Sequence, residues 1–162
     1  MTAVWTCPTC HRAFRRVRQR HACGLGSRAA LLRDRPSDLV LLYGSLEDTL
    51  RSFGDVEIVT RERYALFRTT RIFADLTVMR DALRLVVHLD REVRVPRFFK
   101  VQRGSPNRVA HVTLLRSAPG LRTVMPYLEE AYRLAASEEM AGNRSRTRTR
   151  GCSTTNAPGD TI

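Results

Sequence analysis

Between residues 56 and 116 four to six β-rich runs follow one another, at 56–60, 63–69, 71–79, 82–89, 98–103 and 109–116, with no helical pattern between them. That order narrows the fold more than any other feature. Parallel neighbours need long crossover connections, usually helical, whereas antiparallel neighbours are joined by short turns. Met79-Arg80-Asp81 is turn-sized, and Ala82–Leu89 and Ala110–Leu115 are the clearest strands. Helical spacing brackets the runs. Leu39, Leu42, Tyr43, Leu46, Leu50 and Phe53 follow a helix start at Asp34-Arg35-Pro36-Ser37-Asp38 and end at Gly54, which predicts a helix over 37–53. Pro119-Gly120 is expected to break the chain before a last helix at about 122–140, with Val124, Leu128, Ala131, Tyr132 and Ala135 on one face. The expected fold is an α+β domain over residues 34–140, a mostly antiparallel sheet of about five strands flanked by two main helices.

Ahead of that domain, residues 1–26 hold three of the four cysteines and end in Cys23-Gly24-Leu25-Gly26, a turn-like exit. Cys7-Pro8-Thr9-Cys10 has the C-x2-C spacing that lets two thiolates reach one tetrahedral ion, and His21-Ala22-Cys23 supplies a second pair. Three thiolates and an imidazole suit zinc, so a small zinc-binding finger is expected with Cys7, Cys10, His21 and Cys23 as ligands. A redox pair is the alternative use of C-x-x-C, but that motif ordinarily sits between a strand and a helix, and no βα unit precedes it here. His11 competes with His21; as the direct neighbour of Cys10 it reads better as a turn residue or a hydrogen-bond donor to the site. Trp5 and Phe14 are expected to form the small apolar plug of a segment too short to fold on burial alone. Four protein ligands leave no position for water, so the zinc is read as structural and not hydrolytic.

Charge is concentrated at the two ends. Of 28 basic and 16 acidic residues, giving +12 overall, residues 1–30 contain six arginines and no acid, residues 31–140 carry only +3, and residues 141–162 carry +3. Lys100 is the single lysine. A GC-rich genome would favour Arg over Lys everywhere, but it does not produce an acid-free first thirty residues. Arg12, Arg15, Arg16, Arg18, Arg20 and Arg28 therefore form a cationic footprint, near +5 even after three thiolates and one zinc ion are counted, roughly speaking. Such a patch suits DNA or RNA phosphates. Residues 142–162, with Arg144 to Arg150 alternating with Ser and Thr, lack apolar anchors and are expected to be a disordered basic tail; Cys152 lies within it.

Alternation along the strands suggests a second anion-binding set, Arg61, Arg103, Arg108 and His111, with Arg63 and Arg97 nearby; Asp75, Asp90 and Glu92 are the acids that would neutralise it. His88 and His111 fall within strands, where a lone histidine is usually a satisfied structural residue. No Gly-rich phosphate loop, G-x-S-x-G elbow or H-E-x-x-H motif is present, and no catalytic residue is assigned. A metal-dependent nuclease would need clustered carboxylates with a nearby lysine, and Lys100 stands eight residues beyond Glu92. The longest apolar run, Leu39–Tyr43, is far short of a membrane span, and no apolar signal core opens the sequence, so a cytoplasmic protein is expected. The readings are thus a non-catalytic nucleic-acid or polyanion binder, a module for a protein partner or small anion braced by zinc, or, third, a metal-dependent nuclease-like enzyme.

Trp5-x-Cys7-Pro8-x-Cys10 followed by Gln19-x-His21-x-Cys23 resembles the N-terminal finger of the bacterial "domain of unknown function 5655" family. Val56–Thr60, Phe73-Ala74, the strand containing Leu85, His111–Leu115 and Glu130-Ala131-Tyr132 resemble that domain in their order, so the likeness covers about residues 5–137. It implies a fold and a metal, not an activity. Relatives usually carry Gly where this chain has His11, and often Lys where it has Arg61, a residue that can contact an anion but cannot serve as a reactive amine.

Overall fold

The computed structural model describes residues 4–8, 13–19 and 26–148, with side chains as far as residue 137. The first two strands, β1 (Trp5–Thr6) and β2 (Ala13–Phe14), pair antiparallel as a separate small sheet. A short helix α1 (Arg28–Leu31) and the longer α2 (Ser37–Ser52) lead into β3 (Glu57–Thr60), β4 (Tyr64–Arg68), β5 (Ile72–Val78), β6 (Leu83–Leu89), β7 (Lys100–Ser105) and β8 (Arg108–Leu115), and α3 (Ala118–Arg148) closes the domain.

The large sheet has the order β3-β4-β5-β6-β8-β7 and is antiparallel throughout. The α+β class is as expected, but the sheet has six strands where about five were expected, because every β-rich run pairs, including the short edge strand β3. The helix expected at 37–53 is α2, whose first amides at Leu39 and Val40 both donate to the Pro36 carbonyl. Helix α3 begins earlier than 122. Ser117 accepts from the Gly120 amide at 3.3 Å and its carbonyl accepts from Leu121, so Pro119-Gly120 opens the helix rather than breaking the chain. Proline is tolerated there because first-turn amides have no partner within the helix. Its main chain also continues to Arg148, past the boundary drawn at 140; residues 149–162 lie outside the described residues.

One face of the sheet meets the helices. Phe67, Leu76, Leu83, Leu85, Val87, Leu89 and Leu115 share a core with Tyr43, Leu46 and Leu50 of α2 and Val124, Leu128, Ala131 and Ala135 of α3. Between the pairs Phe67↔Ala74 and Arg68↔Ile72 the register shifts, leaving Phe73 as the extra residue of a bulge. Phe73 is 1% exposed and packs edge-on against Tyr132, with ring centroids 5.7 Å apart. Gly54, at φ 141°, sits against the Tyr132 hydroxyl with no room for a side chain. The opposite face presents Tyr64, Leu66, Asp75, Thr77, Arg84, Val86, His88, Ala110, Val112 and Leu114, and none of these belongs to the core shared with the helices.

Candidate functional site

The N-terminal segment is a hairpin as far as it is described. Trp5 pairs with Phe14 across it, ring centroids 6.0 Å apart, and Cys7, directly after β1, is 3% exposed. The side chain of this expected ligand is therefore buried, in the chain directly after the strand that carries Trp5. Beyond β2 the chain turns, with the Gln19 amide donating to Arg16 at 3.3 Å and Arg18 held at φ 54°. Arg15, Arg16 and Arg18 are exposed there, and none has an ion-pair partner among the described residues. Cys10, His11, Arg12, Arg20, His21 and Cys23 lie outside the described residues, and no three metal-ligating side chains cluster among the rest.

The exit from this segment is tightly fixed. Gly26 lies against the main chain of Arg61 so closely that a Cβ at residue 26 would overlap the Arg61 carbonyl group. Ser27 caps α1 by accepting from the Ala30 amide at 3.0 Å. Arg28 then donates from Nε to Glu47 Oε2 at 2.7 Å, while its guanidinium lies 5.5 Å above the Tyr43 ring. The Glu47 side chain is 7% exposed, so this carboxylate of α2 depends on Arg28. Burial, reinforced by the neighbouring Glu47 charge, raises the Tyr43 hydroxyl far above the usual phenol range, and it stays neutral. Arg28→Ala is expected to lower the unfolding free energy by about 1–2 kcal/mol, modest because the guanidinium is half exposed. A chemical-denaturation midpoint equal to wild type would show that the pair does not hold α1.

The second anion set does not assemble as expected. Arg61 belongs to the turn joining β3 to β4, at one edge of the sheet, whereas Arg103 and Arg108 belong to the β7–β8 hairpin at the other. Five strand spacings, about 24 Å, separate the two edges. Arg103 donates to the Pro106 carbonyl at 2.9 Å and approaches Glu92 at 3.5 Å; Arg108 donates to the Ile72 carbonyl at 3.3 Å. Glu92 also accepts from Arg94, so on that side the acids neutralise the arginines. His111 leaves the set altogether. It is fully buried, its Nδ1 donates to the Val109 carbonyl at 3.1 Å, and its Nε2 accepts from the Val93 amide at 2.9 Å. With both nitrogens engaged it pins the segment before β7 onto β8, and burial lowers its pKa so that it stays neutral.

What sequence reading missed is on the face of the sheet away from the helices. Asp75 and His88, considered only singly, meet there, with Nε2 to Oδ2 at 2.9 Å. They lie on neighbouring strands, diagonal across the Asp75↔Val86 pair, a relation that needs the register and not just the alternation. Arg61 has also gained neighbours of another kind. Arg63, exposed in the same turn, and the Gly26 contact put this basic hairpin beside the exit of the N-terminal segment.

The family model described as "Domain of unknown function (DUF5655)" matches residues 29–135. No curated protein and no solved structure matches the chain.

Proposed function

The chain belongs to the DUF5655 family, and we propose that it is a non-catalytic nucleic-acid-binding protein whose N-terminal finger holds a structural zinc ion and grips phosphates together with the Arg61–Arg63 hairpin. Support for the metal comes from the ligand spacing and from the burial of Cys7 directly after the strand that carries Trp5. Cys10, His21 and Cys23 would complete a closed tetrahedral set, which braces a fold and offers no open position for substrate.

The observation that carries the binding reading is the seat of Gly26 on Arg61. Three residues of chain span at most about 11 Å, so the last zinc ligand is tethered within that reach of Gly26 and the hairpin. Exposed Arg15, Arg16 and Arg18 would then share one neighbourhood with Arg61 and Arg63, and Arg12 and Arg20 lie in the same basic stretch of sequence. Guanidinium groups free of carboxylate partners are what phosphate contacts require, since each contact releases condensed counterions. Arg103 and Arg108, largely committed to local acceptors, add less.

Mixed-sequence DNA and RNA should therefore bind the full chain at low salt, and Arg15→Ala/Arg16→Ala/Arg18→Ala should weaken both by at least about tenfold. Absence of binding at low salt, or an unchanged affinity in the triple variant, would leave the zinc module as a brace for a protein partner.

A further inference from the structure

We propose that the face of the large sheet turned away from the helices is a platform for single-stranded nucleic acid, with an unpaired base stacked on Tyr64, a flanking phosphate met by Arg84, and a phosphate further along the strand met by Lys100 at the far edge. The proposal rests on the nucleic-acid reading above and adds where unpaired bases go.

Register builds the platform. Tyr64, Thr77, Arg84 and Leu114 are directly opposite one another across β4, β5, β6 and β8. The adjacent row is Val59, Leu66, Asp75, Val86, Val112 and Lys100, running from one edge strand to the other. No described helix covers either row, since both long helices bury their apolar stripes in the core on the other side. The accessible apolar groups are Leu66 and Leu114, both half-buried, while Val86 and Val112 are nearly fully buried between them, and the groups around are mostly basic. Asp75 is the one acid of the two rows and is engaged by His88. Arg84 and Lys100 have no ion-pair partner among the described residues.

Charge and continuity point to a polyanion as the occupant. Tyr64 directly follows Arg63, so the basic turn beside the finger exit runs into the platform without a break. A strand whose phosphates lie on Arg61 and Arg63 would carry its next bases over Tyr64 and Leu66. Unpaired bases offer open ring faces to aromatic and apolar side chains, whereas a duplex keeps them stacked inside. Duplex DNA would thus use the arginines and not the platform.

The test is binding of the full chain to a fluorescent 12-nucleotide single strand and to the matching duplex, with photo-crosslinking of a 4-thiothymidine-containing single strand mapped by mass spectrometry. Tyr64→Ala should weaken single-strand binding by about tenfold and leave duplex binding unchanged, and Tyr64→Phe, which keeps the ring, should restore it. Crosslinks on wild-type chain should fall on β4 to β6, a readout that does not depend on any variant folding. Crosslinks confined to residues 12–28 and the basic tail, with Tyr64→Ala binding like wild type, would overturn the platform and leave finger-based binding standing. Equal losses on single strand and duplex would overturn it too. Failure of both nucleic acids to bind wild type at low salt would remove the parent reading along with it.

Discussion

Cys7→Ser is expected to empty the finger of zinc while the sheet remains folded. The wild-type chain should contain about one zinc per chain by elemental analysis, and the variant close to none. The effect is large because metal binding supplies most of the folding energy of so small a segment, on the order of 10–16 kcal/mol for isolated zinc fingers. Trp5 is the single tryptophan and packs on Phe14, so its emission reports on the finger alone. Chelator should shift that emission to the red without moving the main thermal transition, because no described residue of the finger belongs to the core of the large sheet. Zinc-free wild-type protein, or full zinc in Cys7→Ser, would contradict the site. Full zinc in His21→Ala with loss in His11→Ala would exchange the histidine ligand.

His111→Leu should carry a cost of a different kind, together with a pH signature. The substitution removes the acceptor of the Val93 amide, 2.9 Å away in the interior, and a buried donor left unpaired costs about 1–3 kcal/mol. In the wild type, burial holds the folded-state pKa of His111 below its unfolded value. The unfolded chain therefore takes up the proton first as pH falls. Stability is complete above about pH 6.5 and declines below it until the folded-state pKa is reached, with a slope of at most about 1.4 kcal/mol per pH unit. His111→Leu should be less stable at pH 7.5 and should show a shallower decline between pH 6.5 and 5. Denaturation midpoints of the two proteins across that range make the comparison, and the other histidines, common to both, cancel. Parallel pH profiles would show that His111 is not the buried neutral base described.

Much of the fold was legible because its signals are local. Each β-rich run became a strand, since alternation and short turns suffice to mark antiparallel neighbours. The start of helix α3 is less legible, because Pro-Gly reads as a breaker unless the serine before it is recognised as a cap. The candidate site was less legible. Alternation correctly places Arg103 and His111 on one side of their strands, but it cannot place Arg61, which lies in a turn, and it carries no information on strand order. Only the order β3-β4-β5-β6-β8-β7 shows that Arg61 and Arg103 stand at opposite edges. Likewise nothing local distinguishes His111, satisfied inside the core, from His88, one residue out of phase with it and facing away from the helices. The contact of Gly26 with Arg61 joins positions 35 residues apart in the chain, and no periodicity announces it.

The union of finger and hairpin in one phosphate-binding surface is tested most directly by the salt dependence of duplex DNA binding. The slope of log K against log salt would be measured for the wild-type chain, for Arg15→Ala/Arg16→Ala/Arg18→Ala, for Arg61→Ala/Arg63→Ala and for the five substitutions combined. A slope shallower by about 2–3 in the finger variant, by about 1–2 in the hairpin variant, and by nearly their sum in the combination is predicted. Unchanged slopes in the hairpin variant, with the finger variant alone affected, would contradict a shared surface, and unchanged slopes in all three would contradict phosphate binding by either element.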